Sequence, residues 1–277
     1  MFNLQFFRHS SNSLGLYRSA SIYAAQSIIF SYSTSFSLAT RVLPRRIRRD
    51  ISSLYALVRI ADEIVDGPAA LAGCDSAEIA QLLDDFEADF FAAWDRGFDT
   101  NPAIDACADM ARRNHIPKEY FSAFFASMRE DVNPRAEYSP SALAQYVYGS
   151  AEVIGLMCVH IFFQGAPLPA GTEESARALG RAFQIINFLR DYKADVALGR
   201  HYVDMARKEE ITAGINKDLA LARRGIVLLP RSCQPAVRVA TALFQALSHK
   251  CAKGDPTRGR IRLSAVEKVL AIWRYYR

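Results

Sequence analysis

Asp62 and Asp66, in YALVRIADEIVDG, and Asp191 and Asp195, in QIINFLRDYKADVALGR, form two pairs about 125 residues apart, each with a spacing of four. In helices that spacing places both carboxylates of a pair on one face. Two acidic ledges of this kind suit hard cations. Magnesium prefers oxygen ligands, keeps several waters and bridges carboxylates to substrate phosphates. A diphosphate needs such counter-charge to bind and, above all, to leave carbon. Carboxylates four apart are also common on solvated helix faces, so the surroundings of each pair must decide.

Those surroundings differ. Gly67-Pro68 ends the first helix directly after Asp66, in a last turn where the helix dipole disfavours a carboxylate, so a positive partner is expected there. In the second segment Gln184, Asn187, Asp191 and Asp195 follow spacings of three, four and four, a polar stripe on a helix that otherwise carries Phe183, Ile185, Ile186, Phe188 and Leu189. Arg59 stands one turn before Asp62, while Arg190 and Arg200 flank the second pair. Their guanidinium forks match phosphate oxygens. The run Arg41, Arg45, Arg46, Arg48 and Arg49 reads as surface charge.

The segment QYVYGSAEVIGLMCVHIFFQG combines Tyr146 and Tyr148 with Gly149, Ser150, Gly155 and Met157. Small residues admit a neighbouring helix or an extended ligand, and tyrosines can line an apolar cavity with a polar tip. Glu152 must there face water or meet a cation. The five histidines have no metal-ligand spacing. GxSxG, P-loop and GxGxxG elements are missing from the sequence, so nucleophilic hydrolysis and a dinucleotide fold lack support.

The elements that must position these side chains read as helices throughout. Periodicity places them near 18–40, 46–66, 75–94, 103–113, 117–130, 139–163, 172–196, 215–228, 232–251 and 263–276, separated by Gly and Pro punctuation. Ser139 before Pro140 and Thr172 before Glu173 and Glu174 read as helix caps. Neither a linker nor a repeat interrupts 1–277, and one all-α domain is the economical architecture.

Composition narrows the classes further. Hydrophobic residues make up 51% of 277, enough for a substantial core. Five scattered cysteines without CxxC spacing fit a reducing compartment, and the aromatic start, broken by Arg8 and His9, lacks the pattern of a signal peptide. With no run of 18 apolar residues, a spanning helix is not expected. Net charge is +5 but unevenly spread: 13 acids against Arg96 alone from Asp62 to Asp109, and 12 basic residues against two acids from Arg223 to Arg277. The basic region reads as solvated surface or as attraction to anionic lipid or phosphorylated substrate; nucleic acid is not expected, because no binding motif accompanies the charge.

Taken together, these segments resemble the squalene and phytoene synthase family, most closely its bacterial phytoene synthase-like members. The resemblance runs from SYSTSFSLATRVLP through the two aspartate segments and QYVYGSAEVIGLM to KVLAIWR. It implies a single-domain, all-α isoprenoid synthase fold around a central hydrophobic cavity. By match to the motifs, Asp62, Asp66, Asp191 and Asp195 would coordinate magnesium, or manganese in its place, around prenyl diphosphates, with Gln184 and Asn187 in support. Ser35 and Phe36 match an early substrate-binding element; Tyr55, Arg59, Arg190 and Arg200 match diphosphate or cavity contacts; Tyr146 and Tyr148 match an aromatic segment near the reacting cation. This chain departs from the pattern at Ser150-Ala151-Glu152, at Lys193 and in Gly199-Arg200-His201-Tyr202-Val203-Asp204, positions that bear on substrate length and product.

The activity implied is head-to-head condensation of two geranylgeranyl diphosphates through a cyclopropylcarbinyl diphosphate to phytoene. The nearest alternatives are a squalene or dehydrosqualene synthase using two farnesyl diphosphates, or a terpene cyclase or other prenyltransferase on the same scaffold. A non-catalytic prenyl-lipid binding protein is the bland alternative. NADPH is expected only if the product is squalene. The implied setting is the cytoplasm, with peripheral membrane contact and other isoprenoid-pathway enzymes as candidate partners.

Overall fold

The computed structural model describes residues 13–135 and 137–276, apart from the side chains of 34–36, 275 and 276. Thirteen α-helices and no strand occur among the described residues. They are α1 (Ser13–Tyr32), α2 (Thr34–Arg41), α3 (Arg45–Val65), α4 (Pro68–Leu71), α5 (Ser76–Arg96), α6 (Pro102–Arg113), α7 (Lys118–Val132), α8 (Pro140–Val147), α9 (Val153–Phe163), α10 (Thr172–Ala197), α11 (Lys208–Gly225), α12 (Gln234–Lys253) and α13 (Ala265–Tyr276).

Two apolar clusters share one interior. The larger joins α3, α5, α6, α7 and α9 through Leu57, Leu83, Phe90, Met110, Phe121, Phe125 and Met157. On α3 the buried positions Ile47, Leu54, Leu57, Ala61 and Val65 recur at helical spacing, so Asp62 and Asp66 are carried by a helix anchored along its whole length. The second cluster joins α10, α11 and α12 through Ile186, Leu189, Ile215, Leu219 and Phe244. Leu179 packs against both clusters, which makes the chain one domain rather than two.

Close backbone contact sets the place of α10. A Cβ added to Gly155 would overlap the Ala176 carbonyl oxygen, and one added to Gly180 would overlap that of Ala151. The two helices therefore meet through reciprocal glycines, where any side chain would hold them apart. Between α8 and α9 the residues Tyr148–Glu152 form a π-helical turn. Gly149 within it lies against the α7 backbone at Ala123.

Several expected boundaries move. The helix read over 18–40 breaks at Ser33, where a serine-rich stretch competes for backbone bonds: Ser27 Oγ donates to Tyr23 O and Ser31 Oγ to Ser27 O. The one read over 139–163 is interrupted by the π-helical turn, and the one read from 215 begins at Lys208 because Gly214 does not end it. Ser139 does cap α8, its Oγ accepting from Ala142 N at 3.2 Å. Thr172 does not cap α10. Gly171, at φ +81°, holds that place, and Thr172 is the buried first residue of the helix. The sequence also hid a full capping box at α5, where Asp75 accepts from Ala77 and Glu78 N–H while Glu78 accepts from Asp75 N–H.

The stretch Pro140–Phe163 is long and apolar enough to cross a bilayer by length and composition. Most of it is buried inside the fold, and Glu152 lies within it. It is a core element of the fold.

Candidate active site

The first acidic pair closes α3. Arg59 Nη1 donates to Asp62 Oδ2 at 2.7 Å, its second terminal nitrogen meets Glu63, and its guanidinium lies 4.6 Å over the Tyr32 ring. Tyr55 is half-buried on the same helix, and burial raises its hydroxyl pKa against the influence of Arg59. Asp66 is the residue that ends the helix, its N–H donating to Asp62 O at 2.8 Å. Gly67 follows at φ +135°, a backbone state that side-chain-bearing residues rarely adopt, and Pro68 starts α4. The positive partner expected for Asp66 is Arg200, whose Nη1 donates to Asp66 Oδ1 at 2.7 Å.

The second pair lies on α10. Arg190 Nε stands 3.1 Å from both Asp191 oxygens. A further partner escaped the sequence reading: Arg260, from the loop between α12 and α13, places Nε 2.8 Å from Asp191 Oδ1. That loop is pinned by Ile261 N–H donating to Arg190 O at 3.3 Å and by Lys193 Nζ donating to Arg258 O at 3.3 Å. Gln184 is half-buried on α10, two turns before Asp191. Asn187 leaves its Oδ1 buried with no hydrogen-bond partner.

Arg200 brings the pairs together. Its backbone N–H donates to the Asp195 backbone carbonyl at 2.8 Å, while its side chain donates from Nη1 to Asp66 Oδ1 and from Nη2 to the Asp131 carbonyl at 3.3 Å. Arg200 thus ties the pairs together, its backbone N–H bound to the Asp195 carbonyl and its guanidinium to the Asp66 carboxylate, and the Asp66 charge is near enough to raise the pKa of Asp195, a relation that no spacing in the sequence could express.

Asp131 is the main residue the sequence reading missed. It is buried at the end of α7, with Tyr146 Oη 2.8 and 2.9 Å from its two oxygens and Tyr202 Oη donating to Oδ1 at 2.8 Å. Burial and the Asp131 charge raise the pKa of both tyrosines well above the usual value, so the hydroxyls remain donors. The Tyr202 ring stacks on both Phe188 and Tyr146, at centroid separations of 4.3 and 5.1 Å. The available signal was the one used for Asp66, an acid in the last turn of a helix that requires a partner.

Tyr148 joins a different group. Arg177 lies 5.3 Å over its ring and donates from Nε to Glu152 at 2.7 Å; Arg181 binds Glu152 from Nη1 at 2.7 Å and forks onto Asp218 at 2.7 and 2.8 Å. Glu152 thus meets its need for a cation by pairing while buried. Ser35 and Phe36 have side chains outside the described residues. A cavity of about 290 Å³ lined by Ile28, Tyr32, Arg59, Glu63, Ile64 and Pro68 adjoins the first pair. A larger one of about 440 Å³, by His115, His160 and Pro167, includes none of the paired aspartates in its lining.

The electrostatics single out Asp62 and Asp195. Burial raises Asp62 to about 7, with Asp66 adding to the shift and Arg59 opposing it. Burial likewise raises Asp195 to about 7, helped by Asp191 and Asp66 and opposed by Arg200. Asp131 rises to about 6 through burial, against the hydrogen bonds and charge of Tyr202, Arg200 and Tyr146. The aspartates and the orphaned Asn187 oxygen are oxygen donors, the ligand chemistry that magnesium prefers. Among the described residues no three His, Cys, Asp or Glu side chains converge closely enough to hold an ion unaided.

A stability profile checks this crowding. The ordinary carboxyl value is near 4, so between about pH 4 and pH 7 the folded protein holds more protons than the unfolded chain, and stability falls as pH rises through that window. The metal-free protein should melt a few degrees lower at pH 8 than at pH 5.5. Asp62→Asn or Asp195→Asn should flatten the profile relative to wild type. Identical profiles for wild type and both variants in calorimetry would refute the crowding.

Comparison with known proteins places the chain in a family. The sequence model of the squalene/phytoene synthase family matches residues 30–207. A 15-cis-phytoene synthase of Paracoccus sp. is 27% identical over 254 residues, covering 84% of this chain and 82% of that protein. A presqualene diphosphate synthase of Rhodopseudomonas palustris is 32% identical over 216 residues, covering 77% and 72%. The crystal structure of a dehydrosqualene synthase superposes with a TM-score of 0.79 at 21% identity, covering 94% of this chain and 96% of that one, a likeness of fold. With more than half its length matched, and an all-helical fold shared with these synthases, the chain belongs to the squalene/phytoene synthase family, prenyltransferase-type enzymes that act on prenyl diphosphates.

Proposed function

We propose that the protein couples two geranylgeranyl diphosphates head to head to give phytoene, with magnesium as its cofactor. The observation that carries this reading is the meeting of the two aspartate pairs across Arg200 in a chain of this family. It is supported by the phytoene synthases among its relatives.

Bound magnesium supplies the positive charge that binds diphosphate and eases its departure. Asp62, Asp66, Asp191 and Asp195 hold it, and the Asn187 oxygen stands by the second pair. Arg59, Arg190 and Arg200 offer guanidinium forks to the diphosphate oxygens, taking up charge as the C–O bond breaks. Loss of one diphosphate leaves an allylic cation. The double bond of the second substrate captures it, and proton loss closes a cyclopropylcarbinyl diphosphate. A second ionisation, rearrangement and proton loss give the triene-centred hydrocarbon. Tyr146, Phe188 and Tyr202 present a stacked aromatic wall beside the acidic centre, suited to stabilising cationic carbon and excluding water.

A second reading has farnesyl diphosphate as substrate, favoured by the presqualene diphosphate synthase relative. One experiment separates the two: purified protein is incubated with farnesyl or geranylgeranyl diphosphate and magnesium, with and without NADPH, and products are identified by mass spectrometry. Phytoene from geranylgeranyl diphosphate without NADPH is expected. A thirty-carbon product from farnesyl diphosphate alone would install the second reading, and product formation unaffected by chelation would remove magnesium from the scheme.

A further inference from the structure

Asp131 is a buried acid whose carboxylate has no ion-pair partner among the described residues. Other buried acids do: Asp50 meets Arg113, Asp99 meets Arg96, and Glu152 meets Arg177 and Arg181. Asp131 is 6% exposed, and Arg200 reaches only its backbone carbonyl. Both carboxylate oxygens instead accept from phenols, those of Tyr146 and Tyr202, whose own oxygens stand 3.3 Å apart. A carboxylate taken out of water without a cation is costly to the fold, so its presence points to a use other than stability.

The three side chains come from separate parts of the chain. Asp131 lies in the last turn of α7, Tyr146 in the last turn of α8 before the π-helical turn, and Tyr202 two residues beyond Arg200. Asp131 therefore fixes two rings of the stacked wall relative to each other, and a third ring, Tyr138, packs 5.7 Å from Tyr146 and 5.4 Å from Tyr202. A phenol that donates to a carboxylate gains electron density in its ring, because the charge-assisted bond draws the proton toward the acceptor. A richer ring face attracts cationic carbon more strongly. The arrangement exists before any charge develops, so it acts without reorganisation during the reaction.

We propose that Asp131 is a positioning residue for the coupling reaction: it holds Tyr146 and Tyr202 as electron-rich ring faces that shelter the allylic cation until the second double bond captures it. The inference rests on the proposed head-to-head coupling and extends it to a residue that acts through two others. With the carboxylate removed, water captures the cation more often. That capture forms a C–O bond and releases a proton, giving a prenyl alcohol in place of hydrocarbon.

The test compares wild type, Asp131→Asn, Tyr146→Phe and the double variant. Each receives magnesium and whichever of farnesyl and geranylgeranyl diphosphate the wild type consumes, so a wrong chain length in the proposed reaction leaves the comparison intact. Asparagine keeps the shape and one acceptor oxygen but not the charge, and the variant should melt within a few degrees of wild type. Its kcat for hydrocarbon should fall by about a hundredfold at nearly unchanged KM, the mark of an interaction made in the transition state. Diphosphate released per hydrocarbon should rise, with prenyl alcohol making up the difference. The double variant should be no slower than the slower single one, since one interaction cannot be lost twice. A near-ultraviolet difference spectrum, which needs no turnover, should show the tyrosine band of Asp131→Asn displaced to shorter wavelength. Wild-type kcat in Asp131→Asn would overturn the proposal, as would an unaltered spectrum or losses that multiply in the double variant. A loss restored by excess magnesium would overturn it too, and would assign Asp131 to the metal region instead.

Discussion

Asp62→Asn and Asp191→Ala are each expected to lower turnover by about a thousandfold or more while the protein stays folded, because each removes a carboxylate from the place where a departing diphosphate must be neutralised. Their effects on stability should diverge. Asp62 is crowded and pushed up to about 7, so neutralising it relieves repulsion, and the metal-free variant should melt no lower than wild type at pH 8. Asp191 lies between Arg190 and Arg260 at a partly exposed position, so its loss should lower stability by about 1 kcal/mol at most. Product formation at the wild-type rate by either purified variant would end the assignment of that residue. Loss of activity together with loss of the helical melting transition would show a structural role instead.

Gly180→Val should have the largest effect on stability of any substitution away from the charged groups. Even a methyl at this position meets the Ala151 carbonyl oxygen, and backbone on both sides leaves no flexible neighbour to yield. Overpacking of this kind costs about 1–3 kcal/mol, and more where rigid helices must separate. Gly155→Val, against the Ala176 carbonyl, should behave alike, whereas Gly214→Ala, where a Cβ meets nothing within 4 Å, should be neutral or slightly stabilising. Thermal melting of the three variants decides the matter. A Gly180→Val protein as stable as wild type would mean that α10 and the π-helical turn can part without penalty.

How much was legible in the sequence depended on whether the cause was local. Helical periodicity, the Gly67-Pro68 stop and the Ser139 cap act within a few residues, and all appear in the structure. The all-helical architecture followed from the same local patterns. Thr172 failed as a cap because Gly171 adopted a left-handed conformation that no hydroxyl competes with. The π-helical turn arises where Gly149 meets α7, a tertiary contact with no local signature. The acidic pairs were readable as pairs, but their meeting through Arg200 needed two segments far apart in the chain. Asp131 offered only the general signal of an acid at a helix end and Arg260 none: neither belongs to a motif, and each gains meaning from what the fold places against it.

The grip of Arg200 on Asp66 has a thermodynamic consequence for any ligand measured against the free protein. A cation or diphosphate that claims Asp66 competes with an internal cation already in place, so its observed dissociation constant is the intrinsic one divided by the fraction of molecules in which that pair is open. Arg200→Ala would abolish this internal competition. A simple divalent ion, which gains nothing from the arginine, should then bind more tightly, while a diphosphate, which exchanges Asp66 for itself as the partner of Arg200, should bind less well. Opposite changes in two affinities from one substitution would separate the residue's part in keeping the free site closed from its part in holding the substrate.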